Sequence, residues 1–255
     1  MSDLTNLLLM ADALPVEPVK NYLQLTLLSV GLLALVTIIW WQTDKESYEE
    51  VTEDLTITAF EKLEIWGMLN VLVTDGPTYS LTARGSRRAI ANVKVRLRGK
   101  WLKIGSSFFF WHRQYDLLLT LTTPTLSKLD VSGACTVQLT GFNDLHSLDI
   151  DITGASNVSL EGEVQTLNVD ITGASRLTLV GHGTNLTADI TGASTLHALK
   201  YPVEDATVEV TGACTAQVYA TRVLKAEATG ASKVEYQGDP SVDFESAGAS
   251  YIKKV

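Results

Sequence analysis

Cysteine is scarce in this chain. Cys135 and Cys214 are the whole supply, so no disulfide framework can hold the fold. No CxxC pair and no His/Cys cluster at zinc spacing occurs, which removes a structural zinc site. Basic residues are outnumbered, 20 against 29 acidic ones, for a net charge of -9, and the sequence is read as carrying no basic stripe. Nucleic acid is therefore excluded as a partner, because phosphate binding rests on clustered Lys and Arg. The 18 glycines never fall in GxGxxG or P-loop spacing, so no phosphate-cradling loop is expected. The histidines His112, His146, His182 and His197 occupy unlike positions with no nucleophile arrangement beside them, and read as polar surface residues.

One long hydrophobic run is present. Residues 22–41, YLQLTLLSVGLLALVTIIWW, carry no charge, and at 1.5 Å per residue they span roughly 30 Å of hydrocarbon. This predicts one N-terminal transmembrane helix, with Tyr22, Trp40 and Trp41 as interfacial aromatics. No small-residue cleavage site follows Trp41, so the run is kept as an anchor. Lys20 and Lys45 balance the flanks, and the large C-terminal part is expected outside the cytoplasm, as in ordinary signal anchors. The protein is thus expected to be a single-pass membrane protein with its C-terminal domain periplasmic or on the cell surface. Residues 1–21 form a short N-terminal segment, and residues 42–54 read as an acidic, solvated linker.

From Leu55 the pattern turns to strands. LTITAF, NVLVTDG, VKVRLRGKWLKI and YDLLLTLTT alternate or run β-rich between Gly, Asp and Ser breaks, and no long helical periodicity competes. Residues 55–125 are therefore a strand-rich N-terminal part. Within it, FFFWHR from Phe108 to Arg113 reads as a loop over the end of a core, with a membrane or partner contact as the other reading.

Residues 126–255 repeat. Gly133, Gly154, Gly173, Gly192, Gly212, Gly230 and Gly248 are each followed by Ala and then Ser or Cys. The spacing of about 20 residues is too short for tetratricopeptide or ankyrin units. Before each glycine, positions two, four and six back are mostly apolar, as in Leu148, Ile150 and Ile152. After it, the fourth and usually the sixth are apolar again, as in Val158 and Leu160. Each unit therefore reads as an inward-facing strand, a corner and a second inward-facing strand. Such a unit cannot fold alone, and stacking at ~4.8 Å gives a parallel β-solenoid about 30 Å tall. Its coil is expected to be right-handed. The fold class is all-β: about seven GA[SC]-containing turns, preceded by the strand-rich part and the membrane helix. Cys135 and Cys214 then lie about four rungs apart, too far to pair. Lys253 and Lys254 on the last strand read as charge guarding an open edge.

Three places before the glycines stand Asp130, Asp151, Asp170, Asp189, Glu209, Glu227 and Glu245. The positions two, four and six back from each glycine point inward, so these carboxylates face out and stack. At ~4.8 Å adjacent charges repel by ~1 kcal/mol in water. Three answers are open: hydrogen bonds from the adjoining column Ser132, Thr153, Thr172, Thr191, Thr211 and Thr229 or from corner amides, bound cations such as calcium, or a protein or glycan partner. Lys128 and Lys225 lie two residues from their acids and relieve part of the column.

The SGAC/TGAS repeat, the opening AFEKLEIWGMLNVLVTDG, the stretch GKWLKIG and the close YQGDPSVDFESAGASYIKK resemble the head GIN domains of auto-transporter adhesins, a bacterial family. The resemblance runs from about Leu55 to the C-terminus. It implies an extracytoplasmic β-solenoid and supplies no catalytic residues. Many relatives look like lipoproteins or secreted proteins, whereas this chain has a membrane stretch and no cysteine near its N-terminus. The expected function is a membrane-anchored, non-catalytic adhesion, envelope-organising or scaffold module, with membrane lipid, a glycan or an envelope protein as partners. Alternatives are a homo-oligomeric envelope assembly and a polysaccharide-active β-helix enzyme.

Overall fold

Strand alternation is converted into a column because each strand can bury only one face and finds its partner in the next copy of itself. The computed structural model describes residues 50–106 and 117–255. The expected membrane helix at 22–41, the segment 1–21, the aromatic run Phe108–Arg113 and His112 lie outside the described residues. No helix among the described residues is long and apolar enough to cross a membrane.

The elements in chain order are β1 (Glu50–Leu55), β2 (Lys62–Gly67), β3 (Asn70–Asp75), β4 (Ser80–Ser86), the short helix α1 (Arg87–Ala91), β5 (Val93–Arg98), β6 (Trp101–Ser106), β7 (Leu118–Thr123), β8 (Lys128–Gly133), β9 (Thr136–Gly154), β10 (Asn157–Gly173), β11 (Arg176–Gly192), β12 (Thr195–Gly212), β13 (Thr215–Gly230), β14 (Lys233–Gln237), β15 (Ser241–Gly248) and β16 (Tyr251–Lys254). They form two ladders. Ahead of the corner glycines the order is β5, β6, β2, β8, the second halves of β9 to β13, then β15. After the corners it is β1, β4, β7, β3, the first halves of β9 to β13, then β14 and β16. The repeat strands pair in parallel and residue for residue: Leu148, Ile150 and Ile152 lie beside Leu167, Val169 and Ile171, all buried. Val158 and Leu160 continue into Leu177 and Leu179 on the other ladder.

Two features depart from the sequence reading. The strand-rich part is not a separate preface to the repeats. β2 lies between β6 and β8, and β3 between β7 and β9, so the chain lays down an inner rung first, adds one outside it, and returns to continue the column. The cause is two-sided burial: Leu63 and Ile65 pair with Leu102 and Ile104 on one side and with Leu129 and Val131 on the other, all of them at 0–1% exposure. The second departure is in the stretch read as an acidic linker, whose last residues form β1. Their polarity suits an edge strand: Val51 and Leu55 pack on the core, while Glu50 pairs with Arg84 at 2.7 Å and Asp54 accepts from Thr82 at 2.9 Å. β1, β4 and β5 are the antiparallel strands, and all three lie at the same end of the column.

Candidate functional site

The corners set the rung spacing. Gly173 has φ +106°, and a Cβ there would stand 2.4 Å from the Gly154 carbonyl oxygen, so no other residue fits without moving the backbone. The Ser behind each Gly-Ala turns inward and ties rungs together. Ser156 Oγ accepts from the Cys135 amide at 3.2 Å and donates to the Gly133 carbonyl at 3.2 Å; Ser175 repeats this with Ser156 and Gly154. Cys135 and Cys214 take the same place and are buried and free, and burial pushes the Cys135 thiol up, away from reactivity.

The carboxylates stack in the register expected from their spacing. Glu64, Asp130, Asp151, Asp170, Asp189, Glu209, Glu227 and Glu245 are paired one to the next. Glu64 joins the column through β2, a rung without the GA[SC] motif. Their surroundings differ along the column. Lys103 bonds Glu64, and Lys128 Nζ lies 2.5 Å from Asp151 and 3.7 Å from Asp130. Burial, opposed by Lys128, raises the Asp130 carboxyl above its ordinary range, while the bond to Asp151 raises the Lys128 amine. Farther along, Thr172 donates to Asp170 at 3.4 Å, and Asp189, Glu209, Glu227 and Glu245 are exposed to solvent. Lys225 makes no ion pair among the described residues. Hydroxyl donation from the Ser/Thr column thus reaches one acid, lysines reach three, and water screens the rest. Among the described residues no group of three or more His, Cys, Asp or Glu comes together as a metal site.

The described histidines stand apart from one another on the outside. His146 meets Gln165 at 2.8 Å, His182 meets Glu163 at 3.4 Å, and His197 meets Gln217 at 2.7 Å. No nucleophile joins them.

A basic surface was missed. Residues 87–100 contain Arg87, Arg88, Lys94, Arg96, Arg98 and Lys100 and no acid. Antiparallel pairing sets Lys94, Arg96 and Arg98 of β5 opposite Gly105, Lys103 and Trp101 of β6, on the outward face. The reading that no basic stripe exists fails here, because net charge hides a local run; the alternation VKVRLR was the available signal.

The outward column repeats in register along the solenoid, and the family described as "Putative auto-transporter adhesin, head GIN domain" matches residues 59–240. The chain belongs to this family. No curated protein matches the sequence. Among solved structures, the GIN-domain chain is similar to a putative adhesin from Bacteroides fragilis, at 20% identity and TM-score 0.75, covering 81% of this chain and 97% of that one. A putative adhesin from Parabacteroides merdae gives 19% identity and TM-score 0.66, covering 81% and 96%. A protein from Parabacteroides distasonis described as a putative lipid binding protein gives 16% identity and TM-score 0.63, covering 81% and 97%. At these identities the likeness establishes the fold that the GIN domain shares with them.

Proposed function

We propose that the chain is a membrane-anchored, extracytoplasmic, non-catalytic solenoid that serves adhesion, envelope organisation or scaffolding. The observation that carries this is the sameness of the outer face: Asp151, Asp170 and Asp189 and their neighbours Thr153, Thr172 and Thr191 recur rung after rung in register. Repetition suits many weak contacts acting together, since linked sites gain avidity without any single strong one. A catalytic centre instead needs one cluster that differs from its surroundings. Residues 22–41 supply the anchor in this account, the coil is right-handed as parallel crossovers are, and family membership favours the extracytoplasmic side.

Homo-oligomeric assembly is the second reading, and one observation favours it. Phe244 stands in register with Ala226, which is 2% exposed, yet Phe244 is 57% exposed because no further described rung covers it. An apolar inward position left open at the end of a column can stack on another molecule.

The test compares cells carrying the full chain with cells lacking it, under flow over surfaces coated with envelope or host polysaccharide, alongside protease treatment of intact cells. The proposal predicts greater retention and cleavage of the domain from outside. Equal retention together with full protection from protease would overturn it.

A further inference from the structure

The basic edge of the column also carries tryptophan. Three outward rows cross β5, β6 and β2 in register: Lys94, Gly105 and Trp66; Arg96, Lys103 and Glu64; Arg98, Trp101 and Lys62. The Trp66 indole lies over Gly105, where a Cβ would fall 1.8 Å from its ring. Lys62 and Lys103 stand 5.4 and 6.0 Å from the centre of the Trp101 ring. Lys103 is spent on Glu64, the one carboxylate in the patch. Lys94, Arg96 and Arg98 are exposed and have no acidic partner among the described residues. They repeat every second residue, ~7 Å apart along one strand.

Charge alone has a simpler use here, since β5 is an edge strand and cations discourage pairing with another chain. Edge protection requires no indoles on the same face. A sheet face with two partly exposed indoles beside a row of free cations suits a chain that presents apolar faces and regularly spaced anions together. Sugars offer C–H faces to indoles, and uronic acids or sulfated sugars add the anions.

We infer that the outward face of β5, β6 and β2 is a binding site for a linear acidic polysaccharide, with Lys94, Arg96 and Arg98 pairing the anions and Trp101 and Trp66 stacking on the sugar rings. This rests on the adhesion reading and names its ligand class. It assigns the acidic polymer to the cationic end of the column and leaves the repeated carboxylate rungs to other contacts.

Detergent-extracted full-length chain is titrated with polygalacturonate, with dextran as the neutral control, phosphatidylglycerol vesicles and duplex DNA as other polyanions, and binding followed at physiological salt. Wild type should bind polygalacturonate and not dextran. K94Q/R96Q/R98Q should weaken this at least tenfold. W101Q should weaken polygalacturonate binding several-fold while leaving any vesicle or DNA binding unchanged. Far-UV circular dichroism checks folding, and the single exposed change R98Q, expected to weaken binding two- to threefold, serves should the multiple variant misfold. No binding to polygalacturonate, or equal effects of W101Q on vesicles, DNA and polysaccharide, would overturn the inference. Cells bearing K94Q/R96Q/R98Q that adhere as well as wild type would overturn it while leaving adhesion standing; wild-type cells that adhere to nothing would instead remove the adhesion reading.

Discussion

Tyr201 reaches across a whole strand to bond Val164. Its hydroxyl accepts from the Val164 amide at 3.2 Å and donates to the Val164 carbonyl at 3.1 Å, passing Gly183, where a Cβ would stand 2.9 Å from the Tyr201 hydroxyl oxygen. Both backbone groups belong to β10 while Tyr201 belongs to β12, so the phenol staples rungs that are not neighbours. Removing it with Tyr201→Phe leaves two buried backbone groups short of a partner and should cost ~1–3 kcal/mol, measured by denaturant unfolding.

The same residue gives a pH dependence. Burial pushes the Tyr201 hydroxyl from 10.0 up to about 12, so the folded state holds this proton more tightly than the unfolded chain does. Its contribution is complete below pH ~10 and is lost as the pH rises toward ~12. The stability difference between wild type and Tyr201→Phe should therefore narrow across that window; a constant difference from pH 8 to 12 would count against a buried neutral phenol.

Gly173→Ala should lower stability by ~2 kcal/mol or more, because the new Cβ meets the Gly154 carbonyl at 2.4 Å in a backbone of φ +106°, and neither can yield without shifting the rung. Gly99→Ala is the matched control. Its φ is +61°, nothing lies within 4 Å of the added carbon, and the expected cost is about 1 kcal/mol.

Much of this was legible in sequence. Positions two, four and six before each glycine gave the buried stripe, and the common spacing placed Asp151, Asp170 and Asp189 in one line. Period-2 alternation is a local property, so it survives being read one strand at a time. The position of β2 between β6 and β8 was not legible. The Trp66-Gly67-Met68 corner lacks the Ala-Ser signature, although Gly67 pairs with Gly133 as the others pair in turn, and pairing order depends on which partner buries Leu63 and Ile65 better. Tyr201 was equally hidden, since its partner lies 37 residues away. The cations of β5 were overlooked because the acid excess of the whole chain was allowed to stand for every part of it.

Along the acidic column the expected behaviour changes with depth. Asp170→Asn with Asp189→Asn removes two adjacent exposed charges while keeping their acceptor oxygens, so the melting temperature should hold or rise slightly in chelator. If the column gathers calcium, wild type alone should gain stability on its addition. A steep loss in chelator would show that these carboxylates are held by buried bonds.

Lys128→Met acts at the crowded end. It strands Asp130 and Asp151 as neighbouring carboxylates, one of them already raised by burial. Stability at neutral pH should fall by ~1 kcal/mol. A raised carboxyl favours the folded state when protonated, so its contribution is present at low pH and lost as pH climbs through its folded value. The deficit of the variant should accordingly shrink on acidification from pH 7 toward 4.5. A deficit that grows on acidification would mean that Lys128 serves the fold some other way.

Adhesion requires a surface that holds its ligand and leaves it intact. The most direct measurement applies the detergent-extracted full-length chain to an array of acidic and neutral glycans, then releases whatever is retained and weighs it by mass spectrometry. Acidic glycans should be retained at their original mass. Shortened or unsaturated products would reveal a catalyst, and retention of nothing would contradict adhesion through glycans.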